Sequence, residues 1–104
     1  MSEKFTQYDT AEYLKTNEDV AAYFDAVLEE NDPQLIIHAL GVIARAKGMS
    51  QIARETGLAR ESLYRALSDS GNPEFSTVLK VVRALGLQLH ASLQNVSGRS
   101  ATSS

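Results

Sequence analysis

The sequence predicts an all-α fold of five or six short helices that ends in a short C-terminal strand. Three observations predict it. Apolar residues recur at helical spacing in successive stretches, and glycine, proline and asparagine break those stretches apart. Only from Leu87 to Gln94 does the period change to two, with Leu87, Leu89, Ala91 and Leu93 alternating with Gln88, His90, Ser92 and Gln94.

At 104 residues and 43% hydrophobic content, the chain has room for one core with an appended arm. It contains no cysteine, which excludes disulfides, zinc–thiolate sites and thiol nucleophiles. No apolar run is long enough to span a bilayer, and the start MSEKFTQYDT lacks the basic flank and apolar block of a leader. These features read as a cytoplasmic protein with no membrane partner. The net charge of −3 conceals a division. Residues 1–32 carry two lysines against nine carboxylates, net −7, whereas residues 33–104 carry eight cations against four carboxylates, net +4. A locally basic module can engage phosphates even within an acidic chain.

Residues 1–8 read as an arm. Asp9 and Glu12 have capping-box spacing and open a short helix to about Lys15. Asn17 reads as the N-cap of the next helix, in which Val20, Tyr23, Phe24, Val27 and Leu28 form one apolar face. Glu29 and Glu30 at its end oppose the helix dipole, which hints at a cationic partner. Asp32-Pro33 starts a third helix that is apolar around much of its circumference, through Leu35, Ile36, Ala39, Leu40, Val42, Ile43 and Ala46, and so reads as the central strut. Lys47-Gly48 ends it.

The next stretch, MSQIARETGLARESLYRALS, predicts helices over about 50–56 and 60–68, with Ile52 and Ala53 facing Leu58, Leu63, Ala66 and Leu67 across a turn at Gly57. A loop at Ser70–Pro73 leads to a helix capped by Glu74, with a stripe of Phe75, Val78, Leu79, Val82 and Leu85, and Gly86 closes it. A lone strand over 87–93 has no sheet to join, so it must pair with its own copy, the arm or a partner; this predicts a homodimer. The tail from about residue 95 is too polar to pack and reads as disordered. The resulting division is an acidic, aromatic extension over 1–32, a helical domain over 33–94 and a tail over 95–104.

The pair of helices about Gly57 reads as a helix-turn-helix, whose second helix enters the major groove of DNA. Ala59, Arg60, Glu61 and Arg65 then reach base edges; both arginines suit guanine O6 and N7, and Glu61 suits cytosine N4. Ser50, Gln51, Ser62 and Tyr64 suit phosphates, which set register without reading sequence. Against these roles stand structural ones: a solvated helix start at Arg60 and Glu61, an Arg65–Glu61 pair at i, i+4, and Tyr64 in the core. Enzymatic chemistry finds no support. His38 and His90 lack neighbours at metal-ligand spacing, the carboxylates at 29–32 lack a catalytic partner, and the C-terminal serines lack a base, so no catalytic residue, metal or cofactor is expected. Five of the seven aromatics, Phe5, Tyr8, Tyr13, Tyr23 and Phe24, lie in the first 24 residues, the composition of an interface or of packing onto the helix from Pro33.

The runs YDTAEYL, ENDPQLIIHALGVIARAKGMSQIARETGLARESLYRALS and GNPEFSTVLKVVRALGLQL closely resemble HigA-like antidotes of addiction modules, antitoxins with a phage-repressor-type helix-turn-helix. The likeness runs from about Tyr8 to Leu89. It implies a dimer that neutralises a small basic toxin similar to the RelE/ParE superfamily and represses its own operon on a palindromic operator. By position, the repressors' base readers fall on Ala59, Arg60, Glu61 and Arg65. The chain departs from that pattern at Met49, where glutamine is common, and at Ala59, which replaces a serine or threonine cap. The toxin surface is expected on Tyr8, Tyr13, Tyr23, Glu29 and Glu30, from charge and aromatic content alone. The alternative reading is a stand-alone phage-type transcriptional regulator whose N-terminal helices serve dimerisation.

Overall fold

The first helix starts where the sequence offers a reciprocal cap. In the computed structural model, which describes residues 14–94, the Thr16 hydroxyl accepts from the Asp19 backbone N–H at 3.0 Å, and the Asp19 carboxylate accepts from the Thr16 N–H at 3.2 Å. This closed box makes Thr16 the N-cap, and Asn17, expected in that role, becomes the first residue of α1, Asn17–Leu28. The helix expected from Asp9 falls largely outside the described residues; Leu14 and Lys15, its expected end, are not helical. Val20, Phe24 and Val27 are buried at i, i+4, i+7.

Asn31 takes a left-handed φ of 57°, turning the chain into α2, Pro33–Lys47. Asp32 caps it by accepting from the N–H groups of Gln34 and Leu35, and Pro33 occupies a position where no N–H is needed. Six consecutive residues, Ala39 to Ala44, are buried, so α2 is enclosed on most sides as its composition predicts; Ala46 is exposed. Gly41 lets the chain pass close by, since a Cβ there would lie 2.9 Å from the Leu67 carbonyl oxygen.

A single residue, Gly48 at φ 111°, ends α2 and starts α3, Met49–Thr56. Helix α4 follows as Arg60–Ala66, two residues shorter than expected because Leu67 and Ser68 leave helical geometry. Gly71 packs against the carbonyl oxygens of Arg65 and Ala66, where a Cβ would collide with Ala66. Helix α5, Phe75–Ala84, has Glu74 as N-cap, but no side-chain cap bond forms.

The stripe on α5 differs from expectation. Val81 is fully buried beside Val82 and Leu85, with Val78 partly covered, whereas Phe75 is 66% exposed and Leu79 36% exposed. Spacing alone admits both arcs, and the face turned to α2 and α3 is the one centred on Val81. The expected strand is also absent: none of the described residues is in a strand, and Leu87–Gln94 runs without regular structure because no other described segment completes a ladder with it. Leu87 and Leu89 rest on the core, and Leu93 is 97% exposed. The expected disordered tail lies outside the described residues.

One cluster contains Phe24 and Val27 of α1, Leu40 and Ile43 of α2, Ile52 of α3, Leu63 of α4 and Val81 of α5. His38 of α2 reaches into the loop after α4, with Nδ1 3.3 Å from an oxygen of Asp69. No helix among the described residues is long and apolar enough to cross a membrane.

Candidate functional site

The α3–turn–α4 unit is held by a compact set of local bonds. Gly57, at φ 79°, occupies left-handed backbone angles, and its N–H donates to the Ala53 carbonyl at 2.9 Å. The Thr56 hydroxyl donates to the Ile52 carbonyl at 2.8 Å and accepts from the Leu58 N–H at 3.3 Å, so one side chain closes α3 and shapes the turn. Met49, Ile52 and Ala53 of α3 are buried, as are Leu63 of α4 and Leu67 just beyond it. With the apolar residues turned inward, the polar ones are set outward.

Ala59, Arg60, Glu61, Ser62, Tyr64 and Arg65 are all exposed on α4 or at its start, as are Ser50 and Gln51 on α3. Tyr64, for which a core position was the alternative, is 42% exposed. The Arg60 guanidinium lies over its ring, 5.7 Å from the centroid, and Nη2 donates to the phenolic oxygen at 3.4 Å. Arg65 makes no ion pair with Glu61 among the described residues. On α3, Gln51 donates to the Glu55 carboxylate at 3.1 Å. Arg54, one helical turn after Ser50, is also exposed; sequence reasoning passed over it although its i+4 spacing was the available signal.

The second set of expected residues is only partly described. Tyr8 and Tyr13 lie outside the described residues. Tyr23 is partly buried against the core, and loss of solvent raises its phenol pKa. Phe24 is buried, in keeping with packing onto α2. Glu29, the C-cap of α1, and Glu30 are exposed, and the last turn of α1 carries no cation. Glu29 lines a cleft of about 580 Å³ between α1 and the segment after Gly86, and Tyr23 does not. Among the described residues no group of three His, Cys, Asp or Glu side chains is arranged to hold a metal ion.

A family model described as "Probable addiction module antidote protein" matches residues 4–93, which include every helix above. The chain belongs to this family. Within the antidote family's matched span lie the whole α3–turn–α4 unit and the acidic helix α1. A Haemophilus influenzae protein described as uncharacterized is 51% identical over 88 residues, covering 85% of this chain and 91% of its own length. No solved structure matches the chain significantly.

Proposed function

We propose that the protein is the antitoxin of a type II toxin–antitoxin module. It binds and neutralises a small basic RelE/ParE-like toxin, and it represses its own operon as a homodimer on operator DNA. Membership of the antidote family supports the first role. The observation that carries the second is the outward face of α4: Arg60 and Arg65 are exposed on a helix whose Leu63 is fully buried.

In this reading the α3–α4 unit acts as a phage-repressor-type helix-turn-helix. Arg60 and Arg65 donate to guanine edges, Glu61 accepts from cytosine, and Ala59 allows close approach at the helix start. Ser50, Gln51, Ser62 and Tyr64 contact phosphate, with Arg54 beside them. Pairing of two copies through Leu87–Leu93 supplies the backbone partners that this segment lacks among the described residues, and Leu79 offers apolar surface near it, with Phe75 exposed one turn away on α5. The toxin surface is the acidic face of α1, with Glu29 and Glu30 at its end and Tyr8, Tyr13 and Tyr23 as aromatic candidates.

Two assays test the proposal. The full chain should retard DNA from upstream of its own gene, with affinity falling steeply between low and physiological salt. It should also restore growth to cells expressing the basic protein encoded next to it. Salt-independent or absent retardation sinks the repressor role, and undiminished toxicity sinks the antitoxin role.

A further inference from the structure

The cleft between α1 and the segment after Gly86 combines apolar surface with carboxylates. Ala21, Ala22, Leu28 and Leu87 contribute apolar surface, Asp25 and Glu29 contribute carboxylates and His90 an imidazole, and no lysine or arginine lines it. Neither carboxylate forms an ion pair among the described residues. Glu29 also sits at the negative end of the α1 dipole, where a carboxylate is unfavourable in the free protein. An incoming cation therefore relieves repulsion as well as gaining attraction. At the exposed Ala21 and Ala22 positions α1 presents only methyl groups, so a second helix can approach its backbone closely there.

We propose that this cleft receives a basic amphipathic helix of the toxin, with apolar side chains against Ala21, Ala22, Leu28 and Leu87 and lysine or arginine against Asp25 and Glu29. The inference rests on the antitoxin reading and locates its contact surface. Helix-in-groove recognition has this form: anchors at i, i+3 and i+4 enter an apolar channel while flanking charges set register and speed encounter. Asp25, Ala21, Ala22 and Leu87 thereby join Glu29 in a single site, and Tyr23 stands outside it.

The test uses the full chain and the tagged product of the neighbouring reading frame, with binding followed by titration and neutralisation by growth. Asp25→Lys combined with Glu29→Lys is expected to weaken toxin binding at least about a hundredfold and to abolish rescue. The same charge change at exposed residues outside the cleft and off α1, Glu55→Lys with Glu74→Lys, should alter affinity less than about fivefold. Ala22→Trp, which fills the apolar part of the cleft without changing charge at an exposed helical position, should also abolish binding; it decides the matter if the double variant fails to fold by far-UV circular dichroism. Wild-type-like binding by the folded cleft variants, or equal loss in the charge-matched control, overturns the cleft as the site while leaving the antitoxin reading in place. Loss of self-association in the cleft variants without loss of toxin binding assigns the cleft to a second copy and also overturns the proposal. Failure of the unaltered chain to bind or neutralise the toxin overturns the antitoxin reading itself, and the proposal with it.

Discussion

Arg60 and Tyr64 form one unit on the surface of α4. The guanidinium stacks over the ring at 5.7 Å while Nη2 donates to the phenolic oxygen at 3.4 Å. One helical turn separates them, so the helix itself sets the pairing and restricts the rotamers of a long side chain before any ligand arrives. If Arg60 reads DNA, Tyr64 positions it. Tyr64→Phe retains the stacking but loses the hydroxyl proposed to meet phosphate, and should lower operator affinity about two- to tenfold in a fluorescence anisotropy titration. Tyr64→Ala loses the ring as well and should lower it by about a further two- to fivefold, the size of an exposed cation–π contact.

Arg60→Ala and Arg65→Ala should each weaken operator binding by about 1–3 kcal/mol if they donate to base edges, with relaxed discrimination at a single base pair. If either meets a phosphate instead, the loss is uniform across sequences and the slope of log affinity against log salt falls by about one. Both side chains are exposed, so helical content should be unchanged. Wild-type affinity in both variants would remove these arginines from the interface.

Phe75 and Leu79 lie four residues apart on α5 and are open to solvent, and Leu79 shares a groove with Leu87 and Leu89. Phe75→Ser with Leu79→Ser should cost the isolated fold little, because neither residue is buried in it. Sedimentation equilibrium should nevertheless show the dissociation constant of the homodimer rising at least about tenfold. An unaltered dimer would place self-association elsewhere.

Tyr23 gives a spectroscopic handle on the packing of α1. Burial raises its pKa, so the folded state holds the phenolic proton more tightly than the unfolded state does. The associated stability is complete below the ordinary tyrosine range and is lost as pH climbs from there through the raised folded value. In a phenolate absorbance titration Tyr23 should contribute a late-ionising component, and Tyr23→Phe should remove it. Chemical unfolding of the wild type at successive alkaline pH values should show stability falling, with a shallower fall in Tyr23→Phe.

The helix junctions predict graded losses in stability by chemical unfolding. Thr16→Ala opens the capping box and should cost about 1 kcal/mol. Gly57→Ala forces a Cβ into left-handed geometry and should cost about 1–2 kcal/mol. Phe24→Ala empties part of the core and should cost about 3–5 kcal/mol.

What could be read from the chain alone was set by local chemistry. Pro33–Lys47 was legible because Asp32-Pro33 and Lys47-Gly48 bracket a run with few polar positions, and the turn at Gly57 because its φ demands glycine. The cap at Thr16 was displaced by one residue to Asn17, since both side chains suit an N-cap and only the reciprocal bond to Asp19 decides between them. The α5 stripe went to Phe75 and Leu79 instead of Val81 because period alone does not say which arc meets a neighbour. The strand required a pairing partner that no other described segment supplies. The His38–Asp69 contact spans 31 residues and follows only from the tertiary fold. The cleft at Asp25 and Leu87 was invisible for the same reason, although the unfavourable Glu29 had marked one of its walls.

Val27 of the acidic helix and Leu63 of the arginine-bearing helix are both fully buried in one hydrophobic cluster. The two proposed recognition surfaces are thus anchored in one packed core, and a bound toxin can act on operator binding by crowding the duplex or cancelling surface charge. Truncating α1 to separate the two activities would remove Val20, Phe24 and Val27 from that core, so only surface substitutions can dissect them cleanly.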